Sequence, residues 1–198
     1  MNLGGLGLYR KFIMPIVGQS DRPRVRHKLL KKMPKHSVCA ELGVMDGLFS
    51  KEIIKITKPK KLVLIDIWQV NQTFSDPITQ KEYDLKYNSI KEKFKLNPKV
   101  KIIKGRTDSI NTFPDNYFDW VYIDADHRYE AVKNDLENCY PKIKPGGYII
   151  GDDYLHENYK DMIWGVIEAV DEFVKTHEIK NFEVFDTQFM IKTSKFSK

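Results

Sequence analysis

Long apolar runs, paired cysteines and phosphate-loop glycines are all missing from this 198-residue chain. No stretch approaches the roughly 20 apolar residues that cross a bilayer, so no membrane span is expected. The opening Met1-Asn2-Leu3-Gly4-Gly5 lacks a signal peptide's order of basic then apolar residues, which points to a soluble protein. The two cysteines, Cys39 and Cys139, have no metal-type spacing. They read as small buried hydrophobes and suit a reducing, cytoplasmic setting. Neither Gly-x-Gly-x-x-Gly nor Gly-x-x-x-x-Gly-Lys-Ser/Thr occurs, which argues against a nicotinamide oxidoreductase and against a nucleotide triphosphatase.

Charge is abundant but uneven. Residues 1–40 hold nine Lys or Arg against the single acid Asp21, a net +8, so the rest of a chain whose total is +6 stands at −2. Residues 1–36 are therefore read as a basic N-terminal arm or lid, and 37–198 as one folded domain. Such an arm suits nucleic acid, an acidic substrate or a membrane surface, or is a solvated helix face.

Beyond the arm, short apolar runs alternate with helical patterns. Strands are expected at 38–43, 61–66, 100–104, 118–124, 147–151, 182–186 and 188–193. Helices follow from the three-to-four-residue spacing of Phe49, Ile53 and Ile56, of Tyr83, Tyr87, Ile90 and Phe94, of Tyr129, Val132, Leu136 and Cys139, and of Ile163, Trp164, Ile167, Val170 and Phe173. Alternation of this kind predicts an α/β fold, a doubly wound Rossmann-like sheet covered on both faces. Pro145-Gly146-Gly147 is expected to break the chain before the fifth strand. The polar stretch 69–79 reads as an inserted loop near the mouth of the site.

In an open parallel sheet the ligand lies outside the carboxyl ends of the strands. Val38-Cys39-Ala40-Glu41-Leu42-Gly43-Val44-Met45-Asp46-Gly47 is an apolar strand ending in an acid and two glycines. Asp66 closes the second strand 23 positions after Gly43, where such folds place an acid for ribose hydroxyls. These features suit a ligand with a nucleoside and a positive charge but no pyrophosphate, of which S-adenosylmethionine is the common one. Asp108 or Ser109 could meet an adenine amine, or could cap the short helix that follows. Asp124, Asp152 and Asp153 converge if the fourth and fifth strands are neighbours, and three gathered carboxylates call for a cation among them. A hard divalent ion, Mg²⁺ first, would fill that need and acidify a bound hydroxyl. The other reading has Asp126 capping the next helix and Asp152-Asp153 as a polar turn.

Glu41-Leu42-Gly43-Val44-Met45-Asp46-Gly47, Ile65-Asp66, Ile123-Asp124-Ala125-Asp126-His127, Ile143-Lys144-Pro145-Gly146-Gly147 and Gly151-Asp152-Asp153-Tyr154 resemble class I S-adenosylmethionine-dependent methyltransferases. Within that class residues 36–175 are most similar to small metal-dependent O-methyltransferases of the caffeoyl-CoA, catechol and macrocin type. The resemblance implies a seven-stranded sheet with the last strand antiparallel. It assigns Glu41, Gly43 and Asp66 to the cofactor, with Ile67 packing on the adenine, and beside them Gly47, Asp124 and Asp108 or Ser109 are candidate cofactor contacts. It assigns Asp124, Asp152 and Asp153 to the metal. Asp153 stands where caffeoyl-CoA-type relatives have Asn and His127 where they have lysine, so the catalytic base stays open between Asp126 and His127.

The expected reaction is methyl transfer to a hydroxyl of a small molecule or sugar, with the arm closing over the site or pairing two subunits as a homodimer. An RNA methyltransferase using the basic arm is the nearest rival. It lacks an Asn/Asp-Pro-Pro-Tyr motif after the fourth strand and any RNA-binding module. A non-catalytic protein that kept the fold is the other.

Overall fold

The computed structural model describes residues 22–70, 78–154 and 165–194. In chain order these form α1 (Arg22–Lys32), β1 (Val38–Leu42), α2 (Leu48–Thr57), β2 (Lys61–Asp66), α3 (Gln80–Phe94), β3 (Val100–Lys104), β4 (Phe118–Ile123), α4 (Tyr129–Cys139), β5 (Ile143–Gly151), α5 (Val166–Thr176), β6 (Asn181–Phe185) and β7 (Gln188–Lys192). Short 3₁₀ turns lie at Thr107–Thr112 and Tyr140–Lys142.

Strand order is β3-β2-β1-β4-β5-β7-β6. β1 to β5 pair in parallel, and β7 runs antiparallel to both β5 and β6. Alternate residues of each strand enter opposite faces, because side chains along a strand point to opposite sides. On one face Leu62, Leu64, Trp120, Tyr122 and Ile150 pack with Leu29, Leu30 and Met33 of the α1 region and with Ile53 and Ile90. On the other Ala40, Leu42, Val63, Val121 and Ile149 pack with Val132 and Leu136 of α4 and Val170 and Phe173 of α5. Leu29 and Leu30 are almost fully buried, so each contributes about 1.5–3 kcal/mol to docking α1.

Two boundaries differ from the sequence expectation. β5 begins at Ile143, because Pro145-Gly146-Gly147 does not end pairing but is absorbed as a register shift between Phe118 and Trp120 of β4. Gly146 takes φ 80°, which glycine adopts without strain. α5 begins at Val166, while Ile163 and Trp164, expected on it, lie outside the described residues. So do residues 71–77 of the expected loop. α3 starts from a reciprocal capping box, in which Glu82 N donates to Thr79 Oγ1 and Thr79 N donates to Glu82 Oε2. Both cysteines are free and buried.

Candidate active site

Strand order reverses between β1 and β4, and open α/β sheets place their ligand crevice outside the carboxyl ends of the strands at such a switch point. Gly43 sits there with φ 84°, and a Cβ on it would collide with the carbonyl of Asp124. Asp124 N donates to Leu42 O at 2.8 Å and Gly43 N to Ile65 O at 3.0 Å, so β1 closes against both neighbours at its last residue. The glycine is thus required by protein backbone as well as suited to ligand approach. Gly47, φ 70°, ends the same loop as the N-cap of α2.

Asp66 organises this loop. Its Oδ2 accepts from Val44 N at 2.7 Å and Met45 N at 2.8 Å, and its Oδ1 accepts from Trp68 N at 2.9 Å. A carboxylate offers about four lone-pair positions, so one on Oδ1 remains for a ligand hydroxyl. Trp68 is buried and its indole donates to Met45 O at 2.8 Å, which turns Ile67 outward. Met45 and Ile67 are consequently exposed apolar side chains on either side of Asp66. Met45, Trp68 and Asp153 all have positive φ at strand ends, a strain that neighbouring structure must hold in place.

Glu41, the penultimate residue of β1, reaches toward α2. It is buried, accepts from Ser50 Oγ at 2.5 Å, and so ties β1 to α2. Burial pushes its carboxyl up to about 8, with the Ser50 bond working against the rise and the nearby Asp124 adding to it. After β3, Asp108 is exposed and faces Arg106, while Ser109 N donates to Arg106 O at 3.0 Å. The 3₁₀ turn there has Arg106 at its N-cap with no side-chain cap bond, so neither Asp108 nor Ser109 caps it.

The three aspartates after β4 and β5 divide into two sets. Asp124 Oδ1 lies 3.5 Å and Asp153 Oδ2 2.8 Å from His127 Nε2. Donor atoms of Asp124, His127 and Asp153 all fall within 4.8 Å of one another, a spacing that fits a divalent ion. Asp152 turns the other way. Its Oδ1 accepts from Thr187 Oγ1 at 2.8 Å, from Gln188 Nε2 and from Asp153 N, and its Oδ2 from Arg26 Nε at 2.9 Å. Asp152, expected from sequence as a metal ligand, is thus engaged by Thr187, Gln188 and Arg26 and stands apart from that group of donor atoms. β7 lies beside β5 and brings Thr187 and Gln188 to Asp152, whereas His127 is the residue whose donor atom lies with those of Asp124 and Asp153.

Burial works against charge on His127, but its bonds to Asp124 and Asp153 outweigh that and hold the imidazole up to about 10. Asp126 lies outside the cluster. It accepts from Arg128 N at 3.0 Å and pairs with the Arg128 side chain, so although burial opposes it, Arg128 holds the carboxyl below its usual range. α4 starts three residues later with Arg128 at its N-cap, so Asp126 makes a turn and does not cap the helix.

Arg26 was not anticipated as part of the site. Its Nη2 bridges Asp124 Oδ2 at 2.7 Å and Asp152 Oδ2, and its guanidinium lies over the rings of Phe49 at 5.3 Å and Tyr122 at 5.9 Å. The repulsion among three carboxylates is thus relieved by Arg26 between two of them and His127 between the other pair. The available signal was helical phase, since Arg26 is three and four residues before Leu29 and Leu30 and shares their inward face.

Comparison with known proteins agrees with this fold. The profile of a methyltransferase-domain family matches residues 40–154. An uncharacterised protein of Acanthamoeba polyphaga mimivirus is 31% identical over 136 residues, 66% of this chain. The match spans 57% of that relative's length. Among solved structures, the O-methyltransferase NovP superposes with a TM-score of 0.62 at 19% identity, over 86% of this chain and 80% of NovP. A Staphylococcus aureus protein provisionally designated a caffeoyl-CoA O-methyltransferase gives 0.61 at 17% identity, over 96% and 92% of the two chains. The fold is that of the class I S-adenosylmethionine-dependent methyltransferases. The chain belongs to the methyltransferase-domain family whose profile spans β1 to β5. Among the described residues no helix is long and apolar enough to cross a membrane.

Proposed function

We propose that the protein transfers the methyl group of S-adenosylmethionine to a hydroxyl of a small molecule or sugar, with a divalent ion, Mg²⁺ or a relative, beside the cofactor. The observation that supports this reading best is the convergence of Asp124, His127 and Asp153 next to the Gly43 loop. In this reading the free position on Asp66 takes a ribose hydroxyl, Ile67 packs on the adenine, and Asp108 or Ser109 meets its amine. Gly43 and Gly47 shape the loop around the methionine end, and Glu41 braces that loop from beneath. Two buried free cysteines suit the reducing cytoplasm.

Methyl transfer is an in-line displacement, so the protein's work is orientation and removal of the acceptor's proton. A bound divalent ion would supply acidification of the acceptor hydroxyl. Asp124, His127 and Asp153 would hold it, and His127 gives up its proton to do so, which links binding to proton release. That leaves Asp126 as the proton acceptor. Arg128 keeps Asp126 ionised and weakly basic, which is adequate only toward an acidified hydroxyl.

The test is calorimetric titration with S-adenosylhomocysteine, followed by methyl-transfer assays on phenolic and sugar hydroxyls with and without chelator. Binding in wild type, weakened at least tenfold by Asp66→Ala, with chelator-sensitive transfer, is expected. A folded wild type that does not bind S-adenosylhomocysteine refutes the cofactor reading. Undiminished transfer in chelator refutes the metal.

A further inference from the structure

We infer that Arg26 sets the metal selectivity of this site, by occupying Asp152 and so confining a divalent ion to the mixed nitrogen and oxygen donors of Asp124, His127 and Asp153. The inference rests on the reading above only in that the crevice takes a divalent ion.

The two oxygens of Asp124 have separate duties. Oδ2 accepts from Arg26 Nη2 at 2.7 Å, whereas Oδ1 faces His127 at 3.5 Å. Asp152 has no such spare side, because Arg26 holds its Oδ2 and Thr187, Gln188 and the Asp153 amide hold its Oδ1. A guanidinium has no lone pair and stays charged, so it cannot ligate a cation and repels one placed beside it. Its position is held by packing as well as by charge. It lies against the neighbouring rings of Phe49 and Tyr122, and one turn along α1 the buried Leu29 and Leu30 anchor the helix to the sheet.

What remains open to an ion contains an imidazole. Imidazole suits Co²⁺, Zn²⁺ and other first-row transition ions, whereas carboxylate and water oxygens suit Mg²⁺ and Ca²⁺. Without Arg26, the Asp124 and Asp152 pair would open as an all-oxygen site of the kind that Mg²⁺ accepts. The basic residue on the first helix thereby decides which donor set, and hence which class of ion, the enzyme uses.

The experiment titrates the chelator-treated full chain with Mg²⁺ and with Co²⁺ by calorimetry, and follows Co²⁺ absorption in the visible as a report of nitrogen ligation. Wild type is compared with Arg26→Met, Arg26→Met/Asp152→Asn and His127→Ala, and thermal unfolding verifies that each is folded. Arg26→Met is expected to bind Mg²⁺ at least tenfold more tightly while Co²⁺ gains less. The Co²⁺/Mg²⁺ preference should therefore fall at least threefold and recover in the double variant. His127→Ala should alter the Co²⁺ spectrum of the wild-type site. An unchanged preference in Arg26→Met, or an identical Co²⁺ spectrum in His127→Ala, overturns the inference, as does failure of either ion to bind wild type and Arg26→Met. Should Arg26→Met not fold, Arg26→Lys, which loses the two-pronged grip on Asp152, is expected to shift the preference the same way by at least threefold, and no shift refutes the idea. S-adenosylhomocysteine binding in the same wild-type sample keeps the two readings apart, since its loss indicts the cofactor assignment and leaves the metal result standing.

Discussion

Replacing Glu41 by Gln should flatten the dependence of stability on pH across the neutral range. In the folded protein burial lifts the Glu41 carboxyl from 4.5 to about 8. Between those values the native state binds a proton that the unfolded chain has released, so stability falls as pH rises through the window and levels off above it. Expressed in full, a rise of this size amounts to about 5 kcal/mol, a large part of the stability of a domain this long. Glu41→Gln keeps an oxygen to accept from Ser50 and carries no charge at any pH, so it lacks this slope. The assay is urea unfolding at pH 5, 6, 7 and 8 for both proteins. Wild type should lose several kcal/mol over that span relative to the variant. Parallel curves would refute the argument that Glu41 is buried as a neutral acid. A second consequence follows from the neighbouring Asp124, whose charge helps hold the Glu41 proton in place. A cation bound at Asp124 should lower the Glu41 value, so proton release on metal binding, measured in buffers of different ionisation enthalpy, should shrink in Glu41→Gln.

Gly43→Ala should fail to reach a native fold or lose about 3 kcal/mol or more, because its Cβ meets the Asp124 carbonyl at φ 84°, and chemical unfolding would show this. Asp66→Ala should cost about 2–4 kcal/mol from three unpaired amide donors, besides the affinity loss given above, and near wild-type stability would contradict the role of Asp66 in shaping the loop. Burial on α4 lifts Asp135 to about 7 against a bond from Thr107 that works to lower it. Its ionisation therefore destabilises the fold as pH rises from 4 toward 7. Asp135→Asn should be the more stable protein at pH 8 and lose that advantage at pH 4, as thermal melts at the two pH values would reveal.

Residues whose role is set by position along one strand were legible, while those set by pairing between distant elements were not. The near-continuous apolar runs at 38–42, 61–66 and 118–123 mark central parallel strands, since both faces of such a sheet are covered. An acid or glycine just past each run then falls at the carboxyl edge by geometry alone. Asp66, Asp124, Gly43 and Asp153 are found there for that reason. The start of β5 was obscured because Pro145 and Gly146 can form a turn or a bulge, and only pairing with β4 decides between them. The diversion of Asp152 depends on β7 lying beside β5, an adjacency that no spacing within the chain encodes. Arg26 was hidden more deeply. It meets partners 98 and 126 residues away, and in the basic segment it looks like one solvated charge among nine. Helical phase separates it from the others. Arg24, Lys28, Lys31 and Lys35 are exposed, whereas Arg26 lies on the face that carries Leu29, Leu30 and Met33 into the sheet. A charge on the buried face of an amphipathic helix is costly unless paired. That cost is reason enough to seek carboxylates beneath it, and in this protein they are the ones that border the crevice.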